Sequence, residues 1–270
     1  IMNKTYKNYF GFSTEPFISD IHCQDILVTP EIEAVSERIQ YAVRLGAIAL
    51  ITGEVGAGKS TALRWSLEQF HPSEYKTLWI TATSGSILEF YRQLLRALDN
   101  DATSMSKAFY TRTIRKEVRE LIKEKGQKPV VVVDEASLLR MEVLTELHTI
   151  TQFEGDSKPW LPIILAGQIN LEENLRYRKA LPLASRVVAR GSLDAVKKNE
   201  MDQYLSHHLS IAGMKTQLFT DAALTAIYQG SGGIYRKANN LARGALIAAA
   251  VDKASQVIPE HVQIASSEIF

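Results

Sequence analysis

The sequence predicts an α/β fold in which a mostly parallel five-stranded sheet is followed by a small all-helical domain. An apolar run, a glycine-rich segment and a helical pattern follow one another between residues 47 and 70. Strand and helix patterns then alternate, which is typical of a parallel sheet covered on both faces. Beyond Gly191 only helical patterns follow. We therefore divide the chain into residues 1–191, an N-terminal segment plus an α/β domain, and residues 192–270, a helical domain.

Hydrophobic periodicity and helix-end signals predict the individual elements in order. After a Phe-rich segment, Thr29 and Pro30 form an N-cap and first-turn pair for a helix reaching about Leu45. The predicted strands lie near residues 47–52, 77–82, 130–134, 161–166 and 186–190. The predicted helices between them lie near residues 59–70, 86–98, 111–125 and 141–152. The predicted helices of the C-terminal domain lie near residues 194–211, 220–229, 234–253 and 259–267.

Hydrophobic content, net charge, cysteine count and the length of apolar runs limit the classes of protein to which this chain can belong. The 270 residues are 46% hydrophobic, which supports a sizeable core. Because the net charge is only +1, any affinity for nucleic acid has to come from local basic patches. The single cysteine, Cys23, excludes an internal disulfide framework. The sequence has no apolar run of 18 residues and no export leader, so we expect a cytoplasmic protein without a membrane partner.

Residues 53–60 spell G-x-x-x-x-G-K-S, the P-loop or Walker A pattern, between a predicted strand and a predicted helix. Glycines let the backbone N–H groups of such a loop surround phosphates at a helix N-terminus. Lys59 would reach the β- and γ-phosphates of ATP, and the Ser60 hydroxyl would bind Mg²⁺. The predicted ATP-binding residues of this loop are Gly53, Glu54, Val55, Gly56, Ala57, Gly58, Lys59, Ser60 and Thr61.

A valine-rich strand delivers two carboxylates, Asp134 and Glu135, to the edge of the sheet, as in a Walker B motif. Asp134 would hold Mg²⁺, and Glu135 would act as general base on the attacking water. The alternative is an N-cap followed by a favourable first-turn acid. With a P-loop in the same chain, the catalytic interpretation is favoured.

Three further polar side chains are candidates for catalysis. Gln168 follows an apolar strand and would orient water near the γ-phosphate, or it is simply a loop residue. Arg186 and Arg190 flank the last predicted strand, and Arg186 is the candidate for an arginine finger inserted into a neighbouring subunit. A salt bridge within the chain is the alternative. Arg236 lies in the first turn of an Ala-rich helix, where the macrodipole disfavours a cation unless an anion such as the γ-phosphate holds it.

The predicted helix 111–125 carries a row of basic residues beside its apolar stripe. From residue 107 to residue 128 eight basic and three acidic residues give a charge of +5. A row of this kind suits the phosphate backbone of duplex DNA without sequence preference, and a solvated helix face is the alternative. The candidate DNA-binding residues are Arg112, Arg115, Lys116, Arg119 and Lys123.

Taken together, the P-loop, the Asp134-Glu135 strand, Arg186 and the Gly-x-x-Arg236 pattern resemble AAA+ ATPases. The ExeA/GspA-type group is the more specific resemblance, over about residues 6–269. It is carried by YFGF at 9–12 with PF at 16–17, TGEVGAGKS at 52–60, LAGQ at 165–168 and LASR at 183–186. The resemblance implies an AAA+ core with a helical lid, the phosphate, Mg²⁺ and acid roles given above, a trans-acting Arg186 and a sensor Arg236. Two positions depart from the usual pattern, because Gln168 replaces Asn, Ser or Thr and Tyr235 replaces Pro.

The group contains two kinds of ATPase. Mobile-element helpers similar to TnsC, TniB and IstB would oligomerise head-to-tail on duplex DNA, as a ring or a helical filament, and recruit a transposase. General-secretion ATPases continue past the lid into a transmembrane helix and a periplasmic part. The sequence ends at Phe270 without these, so we expect the mobile-element branch, with secretion as the alternative. A small-molecule P-loop kinase is disfavoured because no acceptor pocket or separate arginine cluster is visible.

Overall fold

The computed structural model describes the backbone of residues 2–268 and the side chains of residues 6–268. The chain forms two compact units. An α/β unit contains residues 28–55 and 59–193. A helical unit contains the described residues up to 27, residues 56–58 and the described residues from 194 onward. The division near residue 193 lies close to the predicted one, whereas the N-terminal segment clusters with the helical unit instead of the α/β unit.

The secondary structure follows the predicted alternation. The strands are β1 (Ile48–Gly53), β2 (Tyr75–Thr81), β3 (Lys128–Asp134), β4 (Ile163–Gly167) and β5 (Val187–Leu193). The first eight helices are α1 (Met2–Phe10), α2 (Pro30–Leu45), α3 (Lys59–Glu68), α4 (Ile87–Ala97), α5 (Lys107–Lys123), α6 (Met141–Ile150), α7 (Asn170–Arg176) and α8 (Leu181–Ala184). The last four are α9 (Lys198–Ile211), α10 (Asp221–Ser231), α11 (Tyr235–Val251) and α12 (Pro259–Glu268). Among the described residues, no helix is long and apolar enough to cross a membrane.

The α/β unit contains one five-stranded sheet in the order β2-β3-β4-β1-β5, and every strand pair is parallel. This confirms the predicted fold class. β1 is buried along its whole length, and β3 is buried after Lys128, as expected for interior parallel strands. Thr52 of β1 is in register with Gly167 of β4, and Val133 of β3 with Leu165. The carboxyl ends of β3, β4 and β1 therefore lie side by side at one edge, where ligands of open parallel sheets bind.

Helix-end chemistry agrees with several predicted boundaries and corrects others. The Thr29 hydroxyl accepts the Ile32 N–H at the start of α2, and the left-handed Gly46 ends that helix. α5 begins four residues earlier than predicted, because the Ser106 hydroxyl caps it by accepting the Phe109 N–H at 3.3 Å. The last strand begins at Val187 instead of residue 186 and extends to Leu193. The helices α1, α7 and α8 were not predicted.

The helical unit has its own core, and the N-terminal aromatic residues belong to it. Tyr6, Phe12 and Phe17 are buried in one cluster with side chains of α9 to α12. Phe17 stacks on His208 of α9 with ring centroids 5.7 Å apart and meets Phe219 edge-on. Burial of aromatic area on the lid helices explains why the first 27 residues group with this unit and not with the predicted α/β domain.

A buried histidine makes the stability of the helical unit dependent on pH. Burial lowers the pKa of His208 to about 4, and the neighbouring His207 adds to the shift. Between pH 6.5 and 4 the unfolded chain therefore binds a proton that the folded chain does not, so stability falls as the pH falls. The wild type should lose on the order of 3 kcal/mol of unfolding free energy between these pH values, and His208→Phe should not show that loss. Urea unfolding at several pH values, with the exposed His71→Phe as control, measures this; identical pH slopes in all three proteins would contradict it.

Candidate nucleotide-binding site

The P-loop begins where β1 ends, and its lysine is held by the loop's own backbone. A Cβ at Gly53 would lie 2.2 Å from the Leu193 carbonyl oxygen, so the close approach of β5 requires glycine there. Lys59 opens α3 and is only 7% exposed. Its Nζ donates to the carbonyl oxygens of Gly53 at 3.0 Å and Glu54 at 2.8 Å. The α/β unit thus places a buried ammonium at the N-terminus of a helix, where anions bind.

The two predicted Mg²⁺ ligands, 74 residues apart in the chain, contact each other. Ser60 Oγ donates to Asp134 Oδ2 at 2.9 Å, and the second carboxylate oxygen accepts the Glu135 N–H at 2.9 Å. Asp134 is 8% exposed. A hydroxyl and a carboxylate are the hard oxygen ligands that Mg²⁺ takes, often with waters and substrate phosphates completing its shell. The donor set therefore fits a magnesium ion that also binds a nucleotide phosphate.

Glu135 adopts a backbone conformation that is uncommon for its residue type. Its φ and ψ are 54° and 32°, and a short 3-10 turn, Ala136–Leu138, follows directly. Left-handed residues other than glycine carry strain and cluster at functional sites. Within the described part of the chain, its carboxylate is engaged in neither a hydrogen bond nor an ion pair. Its conformation and its available oxygens are compatible with the predicted role as general base.

Gln168 lies at the carboxyl end of β4, the strand between β3 and β1. The sheet order therefore places it between the acidic pair and the P-loop, and its side chain is half-buried. Its predicted role in orienting water near the γ-phosphate stays a prediction. A neighbouring contact was not predicted. The buried Thr52 donates from Oγ1 to Glu172 Oε1 at 2.8 Å, linking the last β1 residue before Gly53 to α7.

Arg186 lies one residue before β5, and Arg190 lies within that strand instead of at its end. Arg190 is exposed, and Arg186 is half-buried. Arg186 Nη2 donates to Asp156 Oδ2 at 2.7 Å, an ion pair whose acidic partner the sequence did not identify. Its Nε is buried without a hydrogen-bond partner. The finger role of Arg186 stays a prediction, and the salt bridge weighed as the alternative exists.

Arg236 lies in the first turn of α11, as predicted, in the helical unit. Its backbone N–H donates to the Gly56 carbonyl at 3.2 Å, and Gly56 also belongs to the helical unit. Gly56 has a φ of +85°, and a Cβ there would lie 2.6 Å from the Arg236 Cβ. The loop therefore requires glycine at this position. The Arg236 side chain is exposed, and its predicted sensor role remains a prediction.

The basic face of α5 is smaller than its sequence spacing indicated. Arg115 is half-buried and donates from Nη2 to the Thr149 carbonyl at 2.9 Å. Lys116 pairs with Glu120 at 3.3 Å, and Lys123 Nζ lies 5.6 Å from the centroid of the Trp160 ring. Arg112 and Arg119 are exposed, and within the described residues neither forms an ion pair. Of the five predicted DNA-binding residues, Arg112 and Arg119 are therefore the two that are exposed and form no ion pair within the described residues.

Comparisons with known proteins agree with this geometry. Residues 43–175 match the AAA domain family. General secretion pathway protein A of Aeromonas hydrophila is 30% identical over 269 residues, which is 98% of this chain and 48% of that protein. The chain thus spans about half the length of this curated relative. These matches show that the chain is similar to the AAA domain family and to a general secretion pathway protein A, and they do not support the mobile-element branch.

Solved structures confirm the AAA+ fold. Cdc6p from Pyrobaculum aerophilum has a TM-score of 0.75 at 15% identity, over 94% of this chain and 70% of that one. The Aeropyrum pernix ORC1 protein, solved in complex with DNA, has a TM-score of 0.71 at 17% identity, over 93% and 68% of the two chains. At these identities the similarity establishes the fold alone.

Proposed function

From the AAA+ fold of this chain we propose that it binds ATP with Mg²⁺ and hydrolyses it to ADP and phosphate. The observation that carries the proposal is the contact between Ser60 and Asp134 beside a buried P-loop lysine. A glycine-rich loop that binds no nucleotide would not require a carboxylate from another strand beside it. The ATPase test is phosphate release from Mg²⁺-ATP by the purified chain, with EDTA as the control.

Each candidate residue has a separate role in the proposed reaction. The Lys59 ammonium and the loop N–H groups bind the phosphates, and Ser60 and Asp134 hold Mg²⁺, which neutralises charge on the phosphate oxygens when bound. Glu135 takes a proton from the attacking water, and Gln168 orients that water. Because phosphoryl transfer depends on positioning and electrostatic stabilisation, a preformed Ser60–Asp134 pair reduces the reorganisation that binding requires.

We further propose that hydrolysis requires a second copy of the chain. Arg186 would stabilise transition-state charge on a neighbouring subunit's ATP, through a heterologous interface that closes into a ring or extends as a filament. Arg186→Ala should therefore bind ATP normally but lose at least about 10³-fold in turnover. Mixing it with Glu135→Gln should restore partial activity, because some mixed interfaces pair an intact arginine with an intact acid. An unrescued mixture, with monomers in ATP by light scattering, would contradict assembly.

For the cellular role we propose secretion ahead of transposition, reversing the order expected from the sequence. The relative that supports this is a general secretion pathway protein matching nearly the whole chain at 30% identity, and no comparison supports a transposase partner. The test replaces the matching segment of the Aeromonas hydrophila protein with this chain. Restored export of the host's secreted proteins, abolished by Lys59→Ala, is the expected result; a chimera that hydrolyses ATP but restores no export would count against the role.

Duplex DNA is the second candidate partner, favoured by the solvent-exposed Arg112 and Arg119 on α5. If it binds, ATP should promote sequence-independent binding that weakens steeply with salt, by roughly 0.9 in log–log slope for each neutralised phosphate. The double variant Arg112→Ala, Arg119→Ala should flatten the slope by about 2 for each bound subunit. Exposed arginines on α2, Arg38 and Arg44, provide the charge-matched control. No binding in ATP at low salt would exclude this partner.

A further inference from the structure

A tight turn in the α/β unit, residues 153–158, has three consecutive residues in the left-handed region. Glu154, Gly155 and Asp156 have φ values of 49°, 69° and 67°. The turn is closed by Phe153, whose carbonyl accepts the N–H groups of Ser157 at 3.1 Å and Lys158 at 3.3 Å. Two of the three left-handed residues have side chains, so the conformation carries strain that the surrounding contacts maintain.

The turn is fixed to the core of its unit. Phe153 is 1% exposed, and its ring centroid lies 5.5 Å from that of Trp160. The Ser157 hydroxyl donates to the Glu154 carbonyl at 2.8 Å inside the turn. An anchored, hydrogen-bonded turn holds its side chains more precisely than a solvated loop does.

The side chain that this turn presents to Arg186 is the Asp156 carboxylate. Its Oδ2 accepts one hydrogen bond from Arg186 Nη2 at 2.7 Å. The two side chains are 48% and 27% exposed, respectively, and pairs this accessible add little to stability. A guanidinium has five N–H donors in one plane, so the single contact with Asp156 restrains one end of the group and leaves donors for another anion.

We propose that Asp156 is the positioning residue for Arg186, orienting the guanidinium before it reaches the ATP of a neighbouring subunit. This inference rests on the proposed trans role of Arg186. A long arginine side chain is mobile on its own, and transition-state stabilisation depends on donors that are already oriented. The strained turn supplies that orientation from an element separate from β5.

Asp156→Asn tests the proposal, because Asn has nearly the same shape, tolerates left-handed backbone and lacks the charge. We expect ATP turnover to fall about tenfold, the lower end of the loss typical when a residue that orients a metal ligand is replaced, while ATP affinity and the thermal midpoint stay unchanged. Asp99→Asn is the matched control, since Asp99 is also left-handed, at φ +63°, and pairs with Lys76 on the surface. Asp156→Glu keeps the negative charge at this position and should therefore retain most of the activity.

The mixing experiment separates positioning from a structural role. Asp156→Asn mixed with Glu135→Gln should regain activity as Arg186→Ala does, and the double variant Asp156→Asn, Arg186→Ala should turn over no more slowly than Arg186→Ala alone. If Arg186→Ala is fully active, the trans role in the proposed function fails. If Arg186→Ala is impaired but Asp156→Asn turns over at or above the wild-type rate, the positioning inference alone is overturned.

Discussion

Replacing Lys59 by alanine is expected to weaken ATP binding at least about 100-fold. The ammonium is buried and held by two backbone carbonyls of the P-loop, so its positive charge already lies at the loop where phosphate would bind. Hydrogen bonds to charged groups contribute about 1.5–3 kcal/mol each, and in the proposed function Lys59 would make several to the β- and γ-phosphates. Fluorescent-nucleotide titration measures the loss.

The matched control for this variant is Lys125→Ala, which removes one exposed ammonium from the same unit. It should bind ATP as the wild type does. Thermal unfolding without nucleotide tests whether Lys59→Ala remains folded. A folded Lys59→Ala protein with wild-type affinity would show that nucleotide is not bound at this loop.

Replacing Glu135 by glutamine is expected to leave ATP binding intact and reduce hydrolysis at least about 100-fold. Gln has almost the same shape but cannot accept a proton from water, and general-base catalysis contributes typically 10²–10⁴-fold. Since the Asp134 carboxylate bonds the backbone N–H of residue 135, the substitution keeps the Ser60–Asp134 pair in place. The variant should therefore accumulate in the ATP-bound state.

Glu74→Gln is the control for Glu135→Gln, because Glu74 is an exposed glutamate of the same α/β unit. Any general effect of replacing a glutamate by glutamine would appear in both proteins. Steady-state turnover should fall in Glu135→Gln alone. Equal turnover in Glu135→Gln and the wild type would assign the base to another residue.

The sequence predicted the parts of the fold and the site that depend on short-range patterns. Lys59 and Ser60 occupy fixed places in a contiguous motif, and Asp134 ends a strand whose β-branched run identifies it as interior. Parallel strands align their carboxyl ends at one edge of a sheet. Because the P-loop follows β1 and Asp134 ends β3 of the same sheet, the two parts of the site are brought to the same edge, where Ser60 contacts Asp134. The strand order, which the sequence did not predict, places Gln168 at the end of the strand between those that lead to Asp134 and to the P-loop.

The parts that were missed depend on contacts without a sequence pattern. Asp156 meets Arg186 across 30 residues, and Glu172 meets Thr52 across 120, from a turn and a short helix with no periodic signal. The basic spacing on α5 identified one helix face but not its neighbours, so the contact of Arg115 with Thr149 was unforeseen. The N-terminal aromatics likewise indicated burial without indicating which unit would bury them.

The most direct test of the account is a single-turnover measurement of pre-bound, radiolabelled ATP after addition of Mg²⁺. It compares the wild type with Glu135→Gln at protein concentrations that allow assembly. The account predicts that the wild type converts its bound ATP to ADP, while Glu135→Gln retains ATP uncleaved under the same conditions. Cleavage at the same rate in both proteins, or retention of intact ATP by the wild type, would contradict hydrolysis at this Ser60–Asp134–Glu135 site.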